Sequence, residues 1–287
     1  MSLSGVDRER AIFQPLQVNP TVLDLQVRSS IRNPMAPPRK QNGNGHSHSG
    51  DGDLRLSPGT ENYLLCLYKL WEDDENPTIP QLTDTLRQLP ETEGLGTSVP
   101  SVAGMVRRMQ RQSLVDVGAD KRIRLTKQGL EGGEDIARRH RLAEWLVVKL
   151  LGMELHQAHN EAHRLEHGMS QDFQEKLVER LGHPKRSPYG RPIPGTGEPK
   201  MPADALTLDT AIQGEPYIVD RVPEEDSQLL KFLADSMIVP EQPITVSEAT
   251  PYLGVIEVAT PHNKVSIGYN VARQILVRPE TADAPAE

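Results

Sequence analysis

The 287-residue chain holds one cysteine, Cys66, and only 4% aromatic residues. A single cysteine forms no internal disulfide, which fits a reducing compartment. No apolar run approaches the ~20 residues that a membrane-spanning helix needs, so a membrane protein is excluded. No cationic leader followed by an apolar stretch opens the sequence, so export is not expected and the cytoplasm is the expected location. Hydrophobic residues make up 36% of the chain, and the mean hydropathy is −0.51. The 24 prolines and 22 glycines imply sizeable segments outside any core. What remains is long enough for one to three packed domains, and no internal repeat is visible.

Charge is unevenly placed. The net charge is −8, yet residues 97–141 carry ten Lys and Arg against five Asp and Glu, and residues 201–287 carry five against fourteen. Attraction to a polyanion is local and screened within roughly 8 Å, so an acidic protein with one basic stretch can still bind one. On charge alone that stretch is equally a solvated face.

Residues 1–55 read as a disordered extension. The tract 41–50 offers nothing apolar to offset its ordering entropy, although 11–29 has enough apolar spacing for a short arm. Ser57-Pro58 is a helix entry, and Tyr63, Leu64, Leu67, Tyr68, Leu70 and Trp71 follow at helical spacing. Leu82, Leu86 and Leu89 mark a second helix, and Val102, Val106 and Met109 a third, entered at Thr97 or Ser98. Two short alternating runs, 114–117 and 123–125, flank a turn. Three helices and a hairpin are the order of a winged helix-turn-helix. A long helix is predicted over 128–151, another from Leu155 to about Gly168, and a third from Gln171 to Leu181. Prolines hold 186–195 extended. Strands with one helix near 228–236 suggest a small barrel over 205–279, and 280–287 is a loose tail. The fold class is therefore mainly α with a small β part.

Five of the nine histidines lie between residues 140 and 167. In one predicted helix His159, His163, Glu166 and His167 stand at i, i+4, i+7 and i+8 and share a face. On the preceding helix His140 and Glu144 do the same. Imidazole nitrogen with carboxylate oxygen suits Mn, Fe, Co, Ni or Zn. One such histidine is ordinarily just solvated. Six donors on two neighbouring helices favour a metal. Acid is expected to release it as histidines protonate.

The segments His140-Arg-Leu-Ala-Glu144, His159-Asn-Glu-Ala-His163-Arg-Leu-Glu166-His167 and Ser187-Pro-Tyr-Gly-Arg-Pro-Ile-Pro-Gly195 resemble the diphtheria toxin repressor (DtxR/MntR) family of metal-dependent regulators. The resemblance covers about 56–195 well and the remainder weakly. It implies a winged helix over 56–127, a metal-binding and dimerisation domain over 128–195, and an SH3-like (FeoA-like) barrel over 205–279. It also implies an ancillary metal site of His140, Glu144 and His159, with an acidic ligand from the region of Glu224 or Glu225. The implied primary site is Glu166 and His167, with His163 where relatives carry Cys or Glu and Asn62 where they carry Met or Asp. Both replacements can ligate, but the neutral amide of Asn62 is a weaker donor than a carboxylate. The implied cofactor is Mn2+ or Fe2+, with Co2+, Ni2+ or Zn2+ able to substitute in vitro.

The partners implied are double-stranded DNA, bound at an inverted-repeat operator, and a second copy of the chain. Ser98, Pro100 and Ser101 would face bases and the nearest phosphates, Arg107 and Arg108 phosphates, and the wing would add Lys121, Arg122 and Arg124. Gly104 stands where many relatives carry a base-reading Gln, which shifts weight to shape and phosphates. Leu146, Leu150, Leu165, Phe173 and Leu177 form either the dimer seam or monomer core. Metal would raise DNA affinity by fixing the reading head, and the expected role is repression of metal-uptake genes, not catalysis. Two alternatives remain at this point: a winged-helix regulator without metal control, and a metal-dependent hydrolase with Glu166 or Glu161 as base. The hydrolase has no H-E-x-x-H, nucleophile elbow or phosphate loop behind it.

Overall fold

The computed structural model describes residues 56–88 and 95–280. The expected N-terminal extension and arm, Leu89 with the turn after it, and the tail beyond Glu280 lie outside the described residues.

Helix α1 (Pro58–Glu72) starts at Ser57, whose side chain accepts from the Thr60 amide, with Pro58 in the first turn. Helices α2 (Ile79–Gln88) and α3 (Val99–Arg111) follow. Strands β1 (Val115–Val117) and β2 (Ile123–Leu125) pair antiparallel, with Val115 opposite Leu125. Tyr63, Leu64, Leu82, Leu86, Val102, Val106, Met109 and Ile123 form one buried cluster. The stripes read from helical spacing are thus the core of this head.

Helix α4 (Lys127–Trp145) is capped by Thr126, whose hydroxyl accepts from Gly129 N. Its start passes so close to the end of the α3–β1 connection that a Cβ on Gly129 would lie 1.8 Å from the Leu114 carbonyl oxygen. Glycine here weakens the helix but permits the contact. Two boundaries differ from the periodicity. Helix α4 ends at Trp145 and widens into a π-helical turn, Leu146–Leu150, where the Leu151 amide reaches back five residues to Leu146 O. Helix α5 (Leu155–Leu165) tightens into a 3-10 turn, Glu166–Gly168. That turn re-aims Glu166 and His167 relative to the straight-helix reading.

Helix α6 (Gln171–Leu181) is capped by Ser170 and ended by Gly182 at φ 82°. Leu177 belongs to the monomer core with Leu142, Leu181 and Ile193. Leu150, Leu151, Leu165 and Phe173 remain exposed. The 186–195 segment is not a loose spacer. Ser187, Tyr189 and Ile193 are buried, Tyr189 OH donates to Leu155 O at 2.7 Å, and Trp145 Nε1 donates to Arg186 O at 2.6 Å.

The C-terminal part is a six-stranded antiparallel sheet. Its strands are β3 (Leu206–Thr207), β4 (Pro216–Arg221), β5 (Pro243–Thr250), β6 (Val255–Ala259), β7 (Lys264–Gly268) and β8 (Leu276–Pro279), in the order β3-β8-β4-β5-β6-β7. Helix α7 (Ser227–Asp235) follows β4, and the short α8 (Tyr269–Ala272) follows β7. The core of this sheet takes in Val147, Ala158 and Tyr189. The sheet and the histidine-bearing helices are therefore packed as one hydrophobic unit. No helix among the described residues is long and apolar enough to cross a membrane.

Candidate metal centre

Helices α4 and α5 bring the histidines face to face. His140 is fully buried, with Nδ1 2.5 Å from Glu166 Oε2 and Nε2 2.9 Å from Glu144 Oε1. His159 Nδ1 lies 3.1 Å from both His140 Nε2 and Glu144 Oε1. His163 completes a triangle, with Nε2 3.3 Å from His159 Nε2 and Nδ1 3.3 Å from Glu166 Oε1. Glu224, from the segment after β4, joins on the other side. One donor atom each from His140, Glu144, His159 and Glu224 lies within 4.8 Å of the others, as do donors from His140, His159 and His163.

Burial works against charge on every one of these groups, and their neighbours decide the outcome. At His140 burial opposes protonation, but the Glu144 and Glu166 carboxylates outweigh it and push the imidazole up to about 9. Burial lowers His159 to about 3, helped by the nearby Lys69 ammonium. Burial and the charge on His140 lower His163 to about 4. Glu166 and Glu144 stay below the usual carboxylate range despite burial, because the His140 cation sits beside them. Protonation is thus favoured at His140 and opposed at His159 and His163.

A divalent cation fits these residues. Glu144 Oε2 is buried with no hydrogen-bond partner among the described residues, and so is Asn62 Oδ1. Buried oxygens without donors are costly unless something else meets them. The mix of imidazole and carboxylate is what first-row divalent metals take.

His140, Glu144, His159, His163 and Glu166 are brought together. Asn62, on α1, lines the same cavity of about 1250 Å³ as His163 and Glu224. His167 lies at the edge of the cluster, with Nδ1 2.6 Å from Glu61 Oε2 and Nε2 3.6 Å from Glu166 Oε1. Of the two acidic candidates after β4, Glu224 is in the quartet. Glu225 instead approaches Lys69, at 3.4 Å.

Three participants were not legible as such. Glu61 pairs with both His167 and Arg139. Arg139 also donates to Glu166 O at 2.9 Å. Lys69 forms a 2.5 Å ion pair with Glu224. Lys69 stands seven residues after Asn62, on the same face of α1, which is the signal that could have found it.

On the head, Ser98, Pro100, Ser101, Arg107, Arg108, Lys121 and Arg122 are all exposed. Ser98 also caps α3, accepting from Ser101 N at 3.3 Å. Arg122 Nη1 donates to Asn76 O at 2.6 Å, which holds the wing to the end of α1's loop. Arg124 is engaged with Asp120 at 2.6 Å. A Cβ on Gly104 would meet nothing within 4 Å. Gly104→Ala is therefore expected to stabilise the protein by about 0.5–1 kcal/mol, the usual gain at an open interior helix position. Thermal unfolding of the two proteins checks this.

Comparison with known proteins gives this arrangement a class. The pattern described as "Iron dependent repressor, metal binding and dimerisation domain" matches residues 126–195, and the FeoA domain matches residues 206–279. The iron-dependent repressor IdeR of Mycobacterium tuberculosis (strain ATCC 25618 / H37Rv) is 34% identical over 230 residues, covering 76% of this chain and 96% of the relative. The diphtheria toxin repressor of Corynebacterium glutamicum is 39% identical over 139 residues, covering 48% of this chain and 57% of the relative. Among solved structures, a manganese-dependent transcriptional repressor in complex with manganese aligns with a TM-score of 0.65 at 27% identity, over 77% of this chain and 100% of that one. The protein ScaR with bound Zn2+ aligns with a TM-score of 0.63 at 28% identity, over 77% and 99%. The class is that of metal-dependent transcriptional repressors, and not of hydrolases. The chain belongs to the family of the iron-dependent and diphtheria toxin repressors.

Proposed function

We propose that this chain binds an inverted-repeat DNA operator as a homodimer when its buried centre holds Mn2+ or Fe2+, and so represses metal-uptake genes. In this reading residues 56–127 form the reading head, 128–195 the metal-binding and dimerisation domain, and 205–279 the SH3-like domain, with the protein acting in the cytoplasm. The observation that carries it is the orphaned, buried Asn62 Oδ1 on α1, in one cavity with His163 of α5 and with Glu224.

When bound, the cation supplies two positive charges and a preference for several N and O donors at one point. The quartet of His140, Glu144, His159 and Glu224 offers one such point. The second would draw on His163, Glu166 and Asn62, with His167 through the Nε2 that Glu61 leaves open. Asn62 belongs to the head, and the other donors belong to the dimerisation helices. Their joint engagement fixes where α3 stands relative to its twin. Only one such placement matches two major grooves about 34 Å apart. The exposed Leu150, Leu151, Leu165 and Phe173 supply an apolar face for the partner copy. Exposed Arg107, Arg108 and Lys121 supply phosphate contacts, whose affinity falls with salt.

Chelation is the direct test. Removing metal at fixed salt should weaken operator binding at least about tenfold, the usual scale of coupling between two sites. Electrophoretic or fluorescence titrations of the operator, with Mn2+ and then with chelator, measure it. Equal affinity in both conditions would remove metal control and leave a winged-helix regulator of another kind.

A further inference from the structure

Glu224 is claimed twice. One of its oxygens belongs to the quartet that converges for a metal ion. Its Oε1 lies 2.5 Å from the Lys69 ammonium of α1, and 3.8 Å from Arg191 Nε. The carboxylate is only 2% exposed, as befits a group between two cation sites, while Glu225 beside it is 32% exposed. Lys69 Nζ already stands 3.4 Å from Glu225 Oε1. All three side chains line the same cavity, so the lysine stem has room to move.

We propose that Lys69 is a built-in competitor for the metal centre. Its ammonium holds Glu224 when no metal ion is bound, and passes to Glu225 when a divalent cation takes that carboxylate. The inference rests on the metal reading above. The physical reason is like-charge exclusion. Glu224 is buried beside the buried carboxylates Glu144 and Glu166, and the side-chain cations that face it are Lys69 and Arg191. A dication added to this set with Lys69 still on Glu224 would hold two cations against one buried carboxylate. Transfer of the ammonium to Glu225 removes that clash, because Glu225 lies outside the quartet and nearer solvent. No bond is made or broken.

The device has a consequence for the head. Lys69 and Asn62 both sit on α1, and Glu224 and Glu225 both sit in the C-terminal domain. The Lys69–Glu224 pair ties α1 to that domain in the metal-free protein. Metal occupancy shifts that tie from Glu224 to Glu225 as Asn62 is drawn to the α5 donors. The C-terminal domain therefore helps to set the metal concentration at which the head is fixed.

The test is Mn2+ titration by calorimetry on the full chain. The relevant binding step is the one lost in Glu144→Gln. Lys69→Met should tighten that step by about tenfold or more, within the usual range of site-to-site coupling, and should lower the melting temperature of the metal-free protein. Glu225→Gln, on the exposed rim and outside the quartet, should weaken the same step by removing the lysine's second resting place. A lysine that merely orients Glu224 for the metal predicts the opposite sign for Lys69→Met. Unchanged or weakened uptake in Lys69→Met overturns the proposal, as does unchanged uptake in Glu225→Gln. Wild-type protein that takes up no Mn2+ overturns the metal reading itself, which separates the two failures.

Discussion

Replacing Arg141 with leucine should cost roughly 3–5 kcal/mol of folding stability, the penalty for leaving a buried charge without its partner. The Arg141 guanidinium is 1% exposed and reaches Glu72, also 1% exposed, through two contacts of 2.8 and 2.5 Å. Its Nη1 also donates to Pro192 O at 2.5 Å, and it lies over the Tyr68 ring at 5.7 Å. One side chain thus joins the end of α1, the C-terminal part of α4 and the 186–195 segment. In Arg141→Leu the Glu72 carboxylate keeps, among the described residues, the longer contact to Arg191 at 3.3 Å, and a backbone carbonyl loses its donor. Glu72→Leu should do similar damage by leaving the guanidinium without its carboxylate. The double variant should recover part of the loss, because two apolar side chains replace two ions that were both expensive to desolvate. Chemical unfolding of the two single variants and the double variant measures the coupling. Independent, additive losses would show that the pair does not act as one unit.

The pattern of what could be read beforehand follows from where the physics is local. Helical spacing exposed the Tyr63, Leu64, Val102, Val106 and Met109 core, because an amphipathic helix writes its buried face into the sequence. The cap at Ser57, and one at Thr97 or Ser98, were visible because a capping bond is local; the structure gives the second role to Ser98 and adds Ser170. The π-turn after Trp145 and the 3-10 turn at Glu166 were not visible. Each changes helix phase by a fraction of a turn, and the residues there are compatible with continued α-helix. His167, inside the 3-10 turn, meets Glu61 through Nδ1 and lies 3.6 Å from Glu166 through Nε2. Strand β8 lies between β3 and β4, yet its four residues, Leu276–Pro279, alternate too briefly to show. The metal donors on α4 and α5 stood out through spacing alone. Lys69, Glu61 and Arg139 did not, since their roles depend on long-range contacts that no local pattern carries.

Metal uptake should weaken about tenfold for each pH unit between 8 and 6, about a hundredfold in all, because one proton must leave for each cation bound. The expectation that acid expels metal by protonating several histidines is narrowed by the geometry. His159 and His163, held at about 3 and 4 by burial, are already neutral over this range and present no proton to displace. The carboxylates Glu144 and Glu166 are ionised throughout, since the His140 cation offsets the cost of their burial. Among His140, His159 and His163 it is His140, pushed up to about 9, whose proton competes. Its Nδ1–H faces Glu166 and can stay there when Nε2 is taken, which is how a second carboxylate orients a ligating imidazole. The same shift sets the sign for stability. A histidine raised from its ordinary value stabilises the metal-free fold fully below about 6.5, and that contribution is lost as pH rises through 9. His159 and His163 act in the opposite sense, favouring unfolding as pH falls below about 6.5. The metal-free protein should therefore melt highest near pH 6.5, while metal affinity is still rising at pH 8. Mn2+ dissociation constants at pH 6, 7 and 8 give the slope, and calorimetry in buffers of different ionisation heat counts the proton. Three exposed imidazoles of ordinary acidity would instead give affinity that is flat from pH 7 to 8 and steep only below 6. Glu166→Gln should move the slope toward that flat form, because it removes one of the two carboxylates that hold the proton on His140.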